Sequence, residues 1–172
     1  TRMSQLLDDL LQFSRLRKKD EMLQSVDLEK IIRGVLSDIE IRLKASGGKV
    51  EVRKLPSVKA DPAQMNQLFQ NLIVNAIKFS KKDVPPRIVI SSRALNEPSA
   101  EIVVEDNGIG FDEKYRGQIF KPFERLHGRG EYEGSGIGLA ICEKIVLQHG
   151  GKISANSAPG KGSTFIITLP LL

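Results

Sequence analysis

The stretch Gln67-Leu68-Phe69-Gln70-Asn71-Leu72-Ile73-Val74-Asn75-Ala76-Ile77-Lys78-Phe79 constrains the fold more than any other part of the chain. At about 100° per residue, Asn71, Asn75 and Lys78 fall within roughly 40° of one another on a helix. Met65, Leu68, Phe69, Leu72 and Ala76 gather on another side, about 130° away. Such a helix can lie on a sheet through its apolar stripe while two amides and an ammonium line up on a different face. An ordinary amphipathic helix with a polar outside would share this pattern. Solvated faces, however, favour Glu and Lys, whose helix propensity exceeds that of Asn. Two Asn residues one turn apart call for another reason.

Length and composition set the frame. At 172 residues the chain suits one domain with an appendage. It is 40% hydrophobic, enough for one core, and 27% charged, as expected of a soluble, cytoplasmic protein. No apolar run approaches membrane-spanning length and no signal peptide is visible. The single cysteine, Cys142, cannot form an internal disulfide, which fits a reducing compartment, and its apolar neighbours suit a buried structural thiol. The net charge of +5 and pI of about 9.4 would allow a nucleic-acid partner. The Lys and Arg residues are scattered with few aromatics among them, which argues against one. The densest run, Arg15 to Lys19, ends a helix, where cations suit the dipole. A start at Thr1 inside an apparent helix is expected of a fragment.

Met3, Leu6, Leu10 and Phe13 form a heptad seam flanked by Leu7 and Leu11. That helix needs a partner, either the following domain or other helices. Asp20 and Ser25 mark a break, and Asp27 is an N-cap for a helix predicted over Leu28 to Ala45, stopped by Gly47-Gly48. Lys49 to Arg53 alternates as a strand, and Val58 to Ala60 is a second short one. Asp61-Pro62 opens the central helix. Arg87 to Arg93 and Glu101 to Glu105 read as a hairpin across an Asn96-Glu97-Pro98-Ser99 turn. From Asp106 to about Ser135 periodicity is lost, and a loop of that length in a compact domain is usually functional. A helix over Gly136 to Gln148 and two strands, Lys152 to Asn156 and Ser163 to Leu169, close the chain. The inventory is α+β: a two-layer sandwich of a sheet with helices on one face, preceded by a helical segment.

Two glycine segments flank the long loop. Asp106-Asn107-Gly108-Ile109-Gly110 follows a strand, and Gly134-Ser135-Gly136-Ile137-Gly138 precedes a helix. Glycines before a helix let backbone amides approach phosphate, with the helix dipole in favour, although a plain hinge would read the same. An Asp at a strand end can accept a hydrogen bond from a base amine, although Asp-Asn-Gly is also a common turn. An Asn oxygen is a neutral hard ligand suited to Mg²⁺ that bridges phosphates, and Lys78 can offset phosphate charge. These signals agree on one ligand with a base, a metal and phosphates.

The motifs together resemble the catalytic ATP-binding domain of sensor histidine kinases, in the GHKL ATPase superfamily. Asn71 to Phe79 is similar to the family's N box, Asp106 to Gly110 to its G1 box, Ile119 to Arg125 to its F box, and Gly134 to Leu139 to its G2 box. Gly160-Lys161-Gly162-Ser163-Thr164-Phe165 resembles the final glycine motif. The resemblance implies the Bergerat fold, with a mixed sheet, and Mg-ATP as the bound species. It implies that Asp106 takes the adenine amine, with Gly108 beside it and Gly110 and Thr164 completing the base pocket. Asn75 would ligate Mg²⁺, Asn71 would assist phosphate or water contacts, and Lys78 would touch the phosphates. Gly134, Gly136, Gly138 and Leu139 would cradle them, Phe120 and Phe123 would anchor the lid, and Arg125 matches a lid arginine.

The first twenty residues resemble part of the second helix of the family's dimerisation and phosphoacceptor hairpin, leaving 21–172 as the catalytic unit. The acceptor His belongs to the first helix of that hairpin, which is not in this chain. His127, in the lid, and His149, before Gly150-Gly151, are poor substitutes. The implied partners are that hairpin and a response regulator receiver domain, with no nucleic acid and a homodimer through the N-terminal helix. Asn71 cannot take a proton, whereas hydrolytic relatives such as gyrase carry a glutamate there, so phosphotransfer is favoured over hydrolysis. A nucleotide-binding signalling module without transfer is the alternative, and an ATPase acting as a DNA or chaperone machine is a third reading.

Overall fold

The computed structural model describes residues 2–16, 23–94, 98–126, 132 and 134–171. The elements run α1 (Arg2–Arg15), β1 (Gln24–Asp27), α2 (Leu28–Asp38), α3 (Glu40–Ser46), β2 (Lys49–Val52), β3 (Ser57–Ala60), α4 (Pro62–Lys78), β4 (Arg87–Ala94), β5 (Ser99–Asp106), α5 (Gly138–Gln148), β6 (Lys152–Ser157) and β7 (Ser163–Pro170). The break expected at Asp20, the Asn96-Glu97 corner and His127 lie outside the described residues.

Five strands form one sheet in the order β2-β4-β5-β7-β6. β2 and β4 are parallel and the other neighbours antiparallel, so the sheet is mixed. A parallel pair needs a crossover, and the segment holding α4 supplies it. Ile88, Ile90, Ile102, Val104, Phe165, Ile167 and Leu169 are buried in the same core as Leu68, Phe69, Leu72, Ile73, Ile141 and Ile145 of the helices. This is the expected two-layer arrangement. Phe69 is fully buried, and truncating such a side chain costs about 3–5 kcal/mol, so α4 sits on a stiff platform.

The helix starts follow the capping residues. Asp27 Oδ1 accepts from the Glu29 and Lys30 amides, and Asp61 Oδ1 from those of Ala63 and Gln64, with Pro62 leading α4. His149, at the end of α5, is buried and ties that helix to the start of α4. Its Nε2 accepts from the Asp61 amide at 3.1 Å, so the ring proton is on Nδ1, donated to the Ile145 carbonyl at 2.7 Å. A capping role, rather than a phosphoacceptor role, is what this geometry serves.

Three local features depart from the pattern reading. The helix expected over Leu28 to Ala45 is broken at Ile39, where φ is −104° and ψ 13°. Ser37, Asp38, Ile39 and Ile41 are weaker helix formers, and Ile39 is buried at the break. β1, which has too few residues to show alternation, pairs antiparallel with β3 as a separate two-stranded sheet. The last helix begins at Gly138, two residues later than expected, leaving Gly134 and Gly136 in the loop with φ of 138° and 77°. Among the described residues no helix is long and apolar enough to cross a membrane.

α1 lies against α5. Leu16 is buried, Lys144 Nζ sits 4.5 Å over the Phe13 ring and donates to the Phe13 carbonyl, and Gln148 Nε2 donates to that of Leu16. The seam residues Met3, Leu6 and Leu10, with Leu7 and Leu11, stay exposed. Only the end of the seam, at Phe13, packs on the domain.

Candidate functional site

A cavity of about 1100 Å³ opens between α4, the start of α5 and the long loop. Asn71, Asn75 and Lys78 line it from α4, as the spacing predicts. Asp106 and Gly110 line it from the end of β5, Arg125 from the loop, and Gly134, Gly136, Gly138 and Leu139 from the approach to α5. Asn71 and Gly138, 67 positions apart in sequence, share one wall because α4 and α5 pack side by side.

Register places Asp106. It is the last residue of β5, opposite Ser163, the first of β7. Its Oδ1 accepts from the Gly108 amide at 2.8 Å and the Ser163 amide at 3.3 Å. Among the described residues both protein donors go to Oδ1, and Oδ2 receives none. Burial raises the Asp106 pKa above its ordinary 3.8, against the lowering pull of the Gly108 and Ser163 amides. The site thus holds a desolvated acceptor with one oxygen fixed and one available. Gly162 has φ +72°, and a Cβ there would overlap the Asp106 carbonyl, so glycine is what lets the two segments close up.

The pocket floor next to Asp106 is polar. Ser157 Oγ donates to the Gly162 carbonyl at 2.7 Å, accepts from the Phe111 amide at 2.9 Å and lies 3.0 Å from Ser163 Oγ. Strand alternation puts Ser163 on the face of buried Phe165, and both line the cavity. Thr164 points to the other face of the sheet. Of the two neighbours, Ser163 lines the cavity and Thr164, expected beside the base, does not. The alternation of Ser163 with Phe165, Ile167 and Leu169 is the sequence signal that distinguishes them.

Around Lys78 the walls are aromatic. Its Nζ lies 4.6 Å from the Phe79 ring centroid, and Phe79 meets the ring of Tyr132 at 4.9 Å. Gly134 sits so close to Lys78 Nζ that any side chain there would displace the ammonium. Among the described residues no three His, Cys, Asp or Glu side chains converge as a metal site. A divalent cation here would lean on the Asn75 amide oxygen and on oxygens of its ligand, a donor set that fits Mg²⁺.

Of the remaining expected residues, Gly108, Phe120 and Phe123 stand off the cavity wall. Gly108 packs against the end of α4, where a Cβ would meet the Phe79 carbonyl at 2.5 Å. Phe120 is buried and meets Phe165 edge-on at 6.3 Å, which anchors the loop. Phe123 is 55% exposed, and its amide donates to the Gly136 carbonyl at 3.0 Å. Arg125 lines the cavity, but its guanidinium donates to the Tyr132 carbonyl, which occupies it within the loop.

α1 adds residues that the motifs do not announce. Gln5 and Asp9 line the cavity mouth, and Asp9 Oδ2 accepts from Ser135 Oγ at 2.5 Å. Gln67 Nε2 donates to Gln12 Oε1 at 2.7 Å. A carboxylate thus stands at the edge of the glycine loop.

Residues 60–172 match the family described as "Histidine kinase-, DNA gyrase B-, and HSP90-like ATPase". The chain is 41% identical over 169 residues to the phytochrome-like protein Cph1 of Synechocystis, covering 98% of this chain and 22% of that protein. It is 35% identical over 177 residues to the sensor protein kinase WalK of Staphylococcus saprophyticus, covering 98% of this chain and 28% of the relative. The chain therefore spans well under a third of the curated relatives it matches. Among solved structures, a mycobacterial sensor histidine kinase, MprB, superposes with a TM-score of 0.74 at 29% identity, over 86% of this chain and 97% of that one. The histidine kinase ThkA in complex with the response regulator TrrA gives 0.76 at 25% identity, over 99% of this chain and 48% of that one.

Proposed function

Since the chain belongs to the histidine kinase-, DNA gyrase B- and HSP90-like ATPase family, we propose that it is the catalytic unit of a protein histidine kinase, which binds Mg-ATP and passes the γ-phosphoryl to a histidine on a separate hairpin. The observation that carries this reading is the convergence of Asn71, Asn75, Lys78 and Asp106 on one cavity. Asp106 Oδ2 accepts from the base amine, with Gly110 and Ser163 beside it. Lys78 offsets phosphate charge, and the amides of Gly134, Gly136 and Gly138, with Leu139 behind them, form the cradle. Asn75 holds Mg²⁺, whose contribution when bound is to neutralise charge building on the phosphates. Asn71 serves phosphate or water contacts and is no general base, so intrinsic hydrolysis is slow. Arg125 reaches the terminal phosphate once the loop rearranges and releases the Tyr132 carbonyl.

Residues 1–20 then belong to the second hairpin helix and 21–172 to the catalytic unit. The exposed row Met3, Leu6, Leu7, Leu10 and Leu11 supports pairing with the rest of the hairpin and, through it, a homodimer. The likeness to ThkA, solved with a response regulator, supports a receiver domain as the downstream partner.

The test supplies a separate hairpin carrying an acceptor His, together with γ-labelled ATP. Acid-labile label on the hairpin supports the kinase reading. ATP binding without any transfer in this assay would favour a signalling module that uses nucleotide only to set its conformation.

A further inference from the structure

Lys78 is the last residue of α4, and its ammonium rides on a flexible four-carbon stem. Helical backbone alone leaves such a stem many rotamers. In the folded chain Nζ lies 4.6 Å from the centroid of the Phe79 ring, where the π face attracts a cation. It also lies beside Gly134, where a Cβ would overlap it. The Phe79 ring is met in turn by Tyr132, with centroids 4.9 Å apart and planes tilted by 55°. A tilted pair of this kind is attractive beyond the area that it buries. Lys78, Phe79, Tyr132 and Gly134 all line the cavity. Tyr132 and Gly134 are two positions apart, so one segment touches both the ammonium and the ring that holds it. The main chain of Tyr132 is tied as well, since its carbonyl accepts from the Arg125 guanidinium.

We propose that Tyr132 is a positioning residue for Lys78: its ring packs on Phe79, fixes the face against which the ammonium rests, and keeps Gly134 down beside it. The arrangement stands on the geometry without nucleotide, and its consequence for binding rests on the proposed function. An ammonium already held at the wall meets phosphate without a search among rotamers, so less conformational entropy is lost on binding. When Arg125 leaves the Tyr132 carbonyl for the terminal phosphate, the ring pair keeps the segment in place. Tyr132 therefore acts on the phosphates, through Lys78, and not on the base at Asp106. The aromatic ring does this and the hydroxyl is not needed.

The first test needs no nucleotide. In protein carrying ¹³C-labelled lysine, the Lys78 ε-methylene protons, assigned with Lys78→Arg, should resonate upfield of lysines that face no ring. Tyr132→Leu should move them toward those lysines, and Tyr132→Phe should leave them in place. An unchanged Lys78 position in Tyr132→Leu overturns the proposal. In calorimetric titration, Tyr132→Leu should weaken ATP binding by about 2- to 12-fold, the range for one aromatic pair, and leave adenosine binding unchanged. Tyr132→Phe should restore ATP affinity. In a Lys78→Ala chain, adding Tyr132→Leu should cost nothing further, because the two residues act as one unit. Unchanged ATP affinity in Tyr132→Leu, an equal loss for ATP and adenosine, or a full further loss on top of Lys78→Ala would each refute the positioning role. Failure of the unsubstituted chain to bind ATP would sink the kinase reading, while the lysine shift would still decide whether Tyr132 fixes the ammonium.

Discussion

Replacing Asp106 separates base recognition from loop folding. Asp106→Asn keeps an oxygen for the Gly108 amide at 2.8 Å but turns Oδ2 into an NH₂ donor. A base amine is also a donor, so the two would face each other with neither able to accept. Leaving a buried donor unpaired costs about 1–3 kcal/mol, which is about 5- to 150-fold in Kd. Asp106→Ala adds a structural cost, because the Gly108 and Ser163 amides lose their acceptor. The Ser163 contact, at 3.3 Å, is long, so the Gly108 bond sets most of that cost, again about 1–3 kcal/mol, now in folding stability. Titration with a fluorescent ATP analogue, alongside urea unfolding of both variants, resolves the two effects. The Asn variant should lose affinity at near-native stability, and the Ala variant should lose both. Analogue binding by Asp106→Asn with the unsubstituted Kd would refute the assignment of Asp106 to the base.

Three further expectations follow from the same contacts. Because burial raises the Asp106 pKa above 3.8, the folded chain holds this proton to higher pH than the unfolded chain, so its contribution to stability is present below 3.8 and is lost as pH rises through the folded-state value. Analogue affinity, which needs the carboxylate, should fall as pH drops through that same folded-state value, and affinity that stays flat down to 3.8 would contradict this. Gly162→Ala places a side chain at φ +72° and onto the Asp106 carbonyl; the backbone conformation alone should lower Tm by about 2–8 °C in calorimetry, and an unchanged Tm would show that the segment can move apart. Asp9→Asn keeps a partner for Ser135 but removes a negative charge from the cavity mouth, so analogue affinity should rise about 1.5- to 5-fold at low salt and converge with the unsubstituted chain at high salt. No gain at low salt would mean that α1 leaves the site when nucleotide enters.

Much of the architecture was legible because it depends on neighbours in the chain. Asp27 and Asp61 cap helices through amides two and three residues on, and alternation marks the sheet strands wherever they are long enough to show it. The amphipathic face of α4, with Asn71, Asn75 and Lys78 together, follows from helical period alone. What period cannot supply is which atoms from distant segments meet. Ser163 rather than Thr164 faces the cavity because β5 and β7 pair in one register and not its neighbour, which would invert every side chain. Phe123 points outward because the loop around it is held by backbone contacts to Gly136. Asp9 reaches Ser135, His149 reaches Asp61, and Asn71 turns its amide toward Gly138 only once α1, α4 and α5 are packed together. Local propensity acts over a few residues and selects elements; side-chain chemistry between elements depends on packing and register, which exist only in the folded chain.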